Sequence, residues 1–135
     1  MITQTLINDI SYKVVGCAIE VHKELGPGLL ESVYQKCLVK ELEYKGLKTM
    51  QQIKIPVHYK KEYLECDLRL DVLVEDLIIV ELKAVETMHP LYKAQLLTYM
   101  KLLEKPKGLL INFNTDNITK DLVPLVNNYF SVLPK

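Results

Sequence analysis

An excess of positive charge is missing from this 135-residue chain: 17 Lys and Arg stand against 17 Asp and Glu. Nucleic-acid-binding domains usually show a basic excess. Any basic surface here must therefore be local and offset elsewhere. Arginine is nearly absent, with Arg69 alone among sixteen lysines, so bidentate contacts to phosphate or guanine are few. Cysteine is sparse and odd in number. Cys17, Cys37 and Cys66 form no C-x-x-C pair, which argues against a zinc knuckle or a redox dithiol and for free, buried thiols in a reducing compartment. Residues 1–5 lack a basic region followed by an apolar core, and no run of about 18 apolar residues occurs anywhere. A soluble, cytoplasmic protein is expected. There is no internal repeat, low-complexity segment or linker.

What is present suits a folded domain. Hydrophobic residues make up 49% and charged residues 25%, too apolar a mix for a disordered tail. The length predicts one domain over residues 1–135. A chain of this size buries roughly 65–70% of its unfolded surface, so it needs no disulfide or structural zinc.

Leu6, Ile10, Val14, Cys17, Val21 and Leu25 recur at three- and four-residue steps, predicting a helix from about Thr3 to Leu25. Gly26-Pro27-Gly28 stops it. A second helix is expected over Leu30 to Lys45, burying Val33, Cys37, Val39, Leu42 and Tyr44 before a Gly46 cap. Gln52 to Tyr59 alternates as a strand, with Pro56 marking an edge position or a bulge. Tyr63 to Val74 is a second extended stretch and Leu77 to Lys83 a third. Leu91 to Leu103 returns to helical spacing, Leu109 to Phe113 reads as a short buried strand, and Ile118 to Phe130 as a helix or irregular cap. The predicted class is α/β, a mixed sheet covered by helices in the order ααβββαβ plus a C-terminal element.

The stretch from Asp71 to Lys83 carries acidic residues where apolar ones would suit two buried strands. A hairpin centred on Asp76 sets Val74 against Ile78, Val72 against Val80 and Asp71 against Glu81. Opposed side chains share a face at about 4.5–5.5 Å, and Lys83 follows on that face about 6.5–7 Å along. This register requires a three-residue loop or a bulge; a two-residue turn at Glu75-Asp76 breaks it. Two adjacent carboxylates repel unless a proton or cation lies between them. A hard divalent ion such as Mg²⁺ meets that need. A nearby lysine can then orient a water or stabilise a phosphate. Metal-assisted phosphodiester hydrolysis is one reading of these residues; a solvated strand face with an ordinary ion pair is the other.

Asp71 followed by Glu81-Leu82-Lys83 resembles the active-site signature of the PD-(D/E)XK nuclease superfamily. Four ordered blocks sharpen the likeness: Leu25 to Tyr34, with Gly28, Glu31 and Tyr34 in place; Val80 to Val85; Ala94 to Tyr99; and Gly108 to Phe113. Together they resemble the GxxExxY protein family over roughly residues 5 to 130. One departure is that Leu70, not Pro, precedes Asp71.

The resemblance implies a restriction-endonuclease-like core that hydrolyses phosphodiesters in nucleic acid, chiefly DNA, with Mg²⁺ or Mn²⁺. It implies Asp71, Glu81 and Glu31 as metal ligands, Lys83 as the residue that positions water or phosphate, and Gln95 as a supporting catalytic group. Asp67 rivals Asp71 from four residues upstream. Tyr34, Tyr99 and His22 are candidates for substrate contact, and each is equally a residue of the core or of a helix end. Lys60-Lys61 and the other short lysine clusters read as solvated surface. A non-cleaving binding module on the same fold, and a homodimer acting on branched DNA, are the rival functions.

Overall fold

The computed structural model describes residues 1–135. Two helices lead. α1 (Gln4–Leu25) starts where the Thr3 side chain accepts the Leu6 N–H at 3.0 Å, and ends at Gly26, whose φ of 65° is left-handed. α2 (Glu31–Tyr44) follows the Gly26-Pro27-Gly28 turn. Five strands come next: β1 (Thr49–Lys54), β2 (Val57–Tyr59), β3 (Glu62–Leu64), β4 (Arg69–Val74) and β5 (Ile78–Lys83). α3 (Pro90–Leu102), β6 (Lys107–Asn112), β7 (Leu122–Val126) and a short α4 (Asn128–Ser131) complete the chain.

The main sheet runs β1-β4-β5-β6-β7, and β2 and β3 form a separate two-stranded sheet. Only the β5–β6 pair is parallel, because α3 carries the chain back across the sheet between them. The mixed sheet with flanking helices is the expected class. The strand count is larger than expected. The stretch from Gln52 to Tyr59 divides at Ile55-Pro56 into strands of different sheets, and Tyr63 to Val74 divides likewise. Pro56 falls between β1, an edge strand, and β2; the irregularity in β1 is at Gln52 (φ 49°), which faces Asp71 and interrupts the pairing without shifting the register from Gln51↔Val72 to Ile53↔Leu70. The C-terminal segment is mainly β7, whose Pro124 is tolerated because β7 is an edge strand.

Each face of the sheet buries its own apolar cluster. α1 and α2 cover one face through Ile7, Val14, Leu38 and Leu42, packed against Val72, Val80 and Ile111. α3 covers the other through Leu96 and Met100, against Leu73, Ile79 and Leu110. The helix stripes are partly out of phase with expectation. Leu6, Leu25, Val33, Tyr44, Leu91 and Leu97 are exposed, while Ile7, Tyr34, Leu38, Leu96 and Met100 are buried. All three cysteines are free, but only Cys17 is buried; Cys66 is exposed. No helix is long and apolar enough to cross a membrane.

Candidate active site

The β4–β5 hairpin has the register its hydrophobic pattern requires. Val72 pairs with Val80 and Val74 with Ile78 around a three-residue loop, Glu75 to Leu77. Glu75 and Asp76 adopt left-handed φ of 52° and 58°. That strain is met by contacts: the Glu75 carboxylate accepts the Lys48 N–H, and Asp76 pairs with Lys105 at 2.8 Å.

Beyond Val72 and Val80 the two strands part. β4 stays paired with β1 as far as Arg69↔Lys54, and β5 stays paired with β6 as far as Lys83↔Asn112. In the opening between them, side chains replace the ladder. The Asp71 N–H donates to Glu81 Oε1 at 3.2 Å, and the Leu82 N–H donates to Asp71 Oδ2 at 2.8 Å. Side-chain alternation puts Asp71, Glu81 and Lys83 on the face covered by α3. Asn112 secures the end of β5: buried, it accepts the Val85 N–H at 3.1 Å and donates to the Val85 carbonyl at 2.9 Å.

These side chains open into a cavity of about 250 Å³. Its floor is Asp71, Glu81 and Lys83; Glu31, the first residue of α2, joins them, and α3 contributes Tyr92, Gln95, Leu96 and Tyr99. A larger hollow of about 580 Å³ lies between α1 and α2, but it holds none of these groups. The electrostatics tie the smaller cavity together. Burial drives the Glu81 carboxyl up to about 9, with further upward pressure from the charge and hydrogen bonding of Asp71. Burial also raises Glu31, which feels Lys83 and Asp71 in opposite senses. The Tyr99 phenol is raised by burial and then by the charges of Glu81 and Asp71. Lys83 Nζ stands 4.5 Å from the centroid of the Tyr92 ring.

A family model, the PD-(D/E)XK nuclease superfamily, matches residues 8–123. The chain belongs to this superfamily. No curated protein and no solved structure matches it.

Of the residues the sequence nominates, Asp71, Glu81, Lys83, Glu31, Gln95 and Tyr99 line the cavity of this superfamily member. Asp67 does not; it is exposed and pairs with Arg69 at 3.3 Å. Tyr34 and His22 also fall outside; for Tyr34, whose ring is fully buried, this corrects the expectation of substrate contact. Tyr34 is fully buried, stacked on Phe113 at 4.6 Å, and its hydroxyl donates to the Gly26 carbonyl and accepts the Leu29 N–H. It shapes the turn that delivers Glu31. His22 Nε2 lies 2.7 Å from the Thr115 carbonyl oxygen and ties α1 to the loop after β6.

Sequence reasoning missed three residues. Arg69 lines the cavity two positions before Asp71, on the same strand face; its being the sole arginine was the available signal. Tyr92 lies three residues before Gln95 in α3, a spacing that shares a helix face. Gln52 reaches Asp71 Oδ1 at 3.5 Å from the left-handed position in β1, and alternation alone gives no sign of it.

The donor chemistry fits a hard divalent cation, since the cavity presents carboxylate oxygens and neither thiol nor imidazole. No three acidic, His or Cys side chains stand together as a ready-made ligand cluster. The protein's own donor set is the Asp71–Glu81 pair with Glu31 apart from it, and Mg²⁺ commonly keeps waters or takes substrate oxygens for its remaining positions.

Proposed function

We propose that the chain is a nuclease that uses Mg²⁺ or Mn²⁺ to hydrolyse phosphodiester bonds in DNA, acting as a single domain. The observation that carries this reading is the parting of β4 and β5, which brings two carboxylates and a lysine to one cavity in a chain of the nuclease superfamily. Asp71 and Glu81 would hold the ion, and Glu31, set apart from the pair on the same cavity, would add its oxygens directly or through water. When bound, the ion supplies Lewis acidity toward the phosphate and makes a water more acidic.

The remaining work belongs to the chain. Lys83, held over the Tyr92 ring, presents a positive charge to the phosphate and orients the attacking water. Gln95 and Tyr99 offer hydrogen bonds from the α3 side, and Arg69 offers a second cation at the rim. The Leu82 N–H holds Asp71 in place, so Asp71 is presented without a rotamer search.

The test compares wild type with Asp71→Asn and Lys83→Ala on single-stranded, duplex and branched DNA, and on RNA, with Mn²⁺. Loss of cleavage by at least about a hundredfold is expected in both variants, with the thermal transition retained. Equal cleavage by all three proteins sinks the reading. Binding by wild type without any cleavage selects the non-cleaving module, to which the balanced charge also points.

A further inference from the structure

The β2–β3 hairpin stands apart from both apolar clusters, and every residue from His58 to Leu64 is exposed. It leaves the main sheet at Lys54 and returns at Arg69, which pair in the last rung of β1–β4. The Ile55 N–H donates to the Leu68 carbonyl at 2.8 Å and closes its base. Because Arg69 lines the cavity, the hairpin springs from the cavity's rim. Six residues separate Lys54 from the tip, a reach of at most about 20 Å.

The tip is conformationally costly. Tyr59 pairs with Glu62, so Lys60 and Lys61 form a two-residue turn, and their φ values of 47° and 70° are both left-handed. Turns of this kind favour Asn-Gly, not two lysines. The turn at Glu75-Asp76 has the same backbone problem, but contacts to Lys48 and Lys105 hold it. Lys60 and Lys61 form no ion pair and no side-chain hydrogen bond; Lys60 only overlies the Tyr59 ring at 5.5 Å. Strain that nothing inside the molecule offsets points outward.

The neighbours have the matching chemistry. Tyr59 and Tyr63 are 57% and 60% exposed and occupy opposite faces of the hairpin. Two of the nearby acids are neutralised at its base, Glu65 by Lys54 and Asp67 by Arg69. Glu62 makes no ion pair, so the tip sets two unpaired lysines against one unpaired glutamate and is net positive, although the chain as a whole is neutral.

We propose that the β2–β3 hairpin is an arm that grips single-stranded nucleic acid beside the cavity, Lys60 and Lys61 meeting phosphates and Tyr59 and Tyr63 stacking on unpaired bases. Sequence-tolerant binding of this kind combines cationic contacts to the backbone with aromatic faces for the bases. The inference rests on the nuclease reading for its substrate class, and names the form of that substrate.

The test is fluorescence anisotropy with a labelled oligothymidylate and a labelled blunt duplex, in chelator, on the full chain. Lys60→Asn/Lys61→Gly relieves the turn and removes both charges. It should raise the Tm while weakening oligothymidylate binding about tenfold, and flatten the slope of log K against log salt by about 1.4, the value for two single-strand phosphate contacts. Tyr63→Ala should cost the oligothymidylate roughly 5- to 100-fold and leave the duplex unchanged. Unaltered affinity and salt slope in the turn variant overturn the arm, as does a lowered Tm. Equal losses on duplex and single strand with Tyr63→Ala overturn the single-strand assignment. Wild type that binds the oligonucleotide through the arm but never cleaves refutes the nuclease reading alone; full cleavage with unchanged binding in the turn variant refutes the arm alone.

Discussion

Glu81 is the residue most at odds with its surroundings. Its carboxyl is buried beside Asp71, and its ionisation is pushed to about 9. In the unfolded chain it would titrate near its ordinary value of 4.5. Between those values the folded protein holds a proton that the unfolded chain has lost. The metal-free fold therefore loses stability as pH rises from about 4.5 to about 9. Glu81→Gln removes this dependence and keeps an oxygen to accept the Asp71 N–H. Its thermal midpoint should match wild type near pH 4 and exceed it at pH 8 by at least about 3–6 °C, the shift that about 1 kcal/mol gives in a domain of this size. Parallel Tm-against-pH curves for the two proteins would show that burial of this group carries no cost. Asp71, Glu81 and Lys83 were readable from the sequence because charge in an apolar strand is conspicuous, and the family blocks supported Glu31 and Gln95. Tyr34 was misread because a buried phenol that satisfies a turn and a phenol that meets a substrate have the same spacing.

At the scale of elements, α3 is held to the sheet by a close approach. A Cβ on Gly108 of β6 would come within 2.7 Å of Met100 Sδ and 3.0 Å of Leu96. Overpacking of this kind costs about 1–3 kcal/mol. Gly108→Val should accordingly destabilise the fold by that amount in urea denaturation. It should also weaken cleavage beyond the stability loss, because Tyr92, Gln95 and Tyr99 ride on the displaced helix. Full activity in a folded Gly108→Val protein would show that α3 need not sit so close. The helices were legible as elements, but their buried stripes only in part: Ile10, Val14, Cys17, Val21, Val39 and Leu42 are covered as expected, and Val33 is not. Val33 and Leu38 are equally apolar, and only the neighbouring sheet decides which is covered. The five strands between α2 and α3 were read as three. Extended backbone continues across Ile55-Pro56 and from Glu65 to Leu68, and no local pattern says that the hydrogen-bond partner has changed. β7 was missed because Leu-Val-Pro-Leu-Val carries a proline that an edge strand tolerates and a central one does not.

For the whole molecule, the proposed ion is also a stability question. A ligand held by the folded state alone raises stability by about 2.7 kcal/mol at a hundredfold over its Kd. Mn²⁺ should then raise the Tm at pH 8, where solution pH opposes protonation of the carboxylates more strongly, and raise it less at pH 6. Asp71→Asn should abolish most of the gain. A Tm indifferent to Mn²⁺ at both pH values would count against a cation held by protein oxygens alone. The neutral total charge is a sum of unlike local charges. Negative groups gather where strands part, and unpaired lysines stand at the end of a projecting hairpin.

The seam between β4 and β5 has a consequence for how such a protein can lose its chemistry. Asp71 and Glu81, the ligands of the proposed ion, are also mortar, since each closes a backbone N–H that the parted strands leave open. An alanine at either position exposes an orphaned donor, with a penalty of about 1–3 kcal/mol. An amide keeps the acceptor and discards the charge. A lineage that abandoned cleavage but kept the fold would drift first to Asn at 71 and Gln at 81. Its silence would be written in amides, in a sheet that still closed.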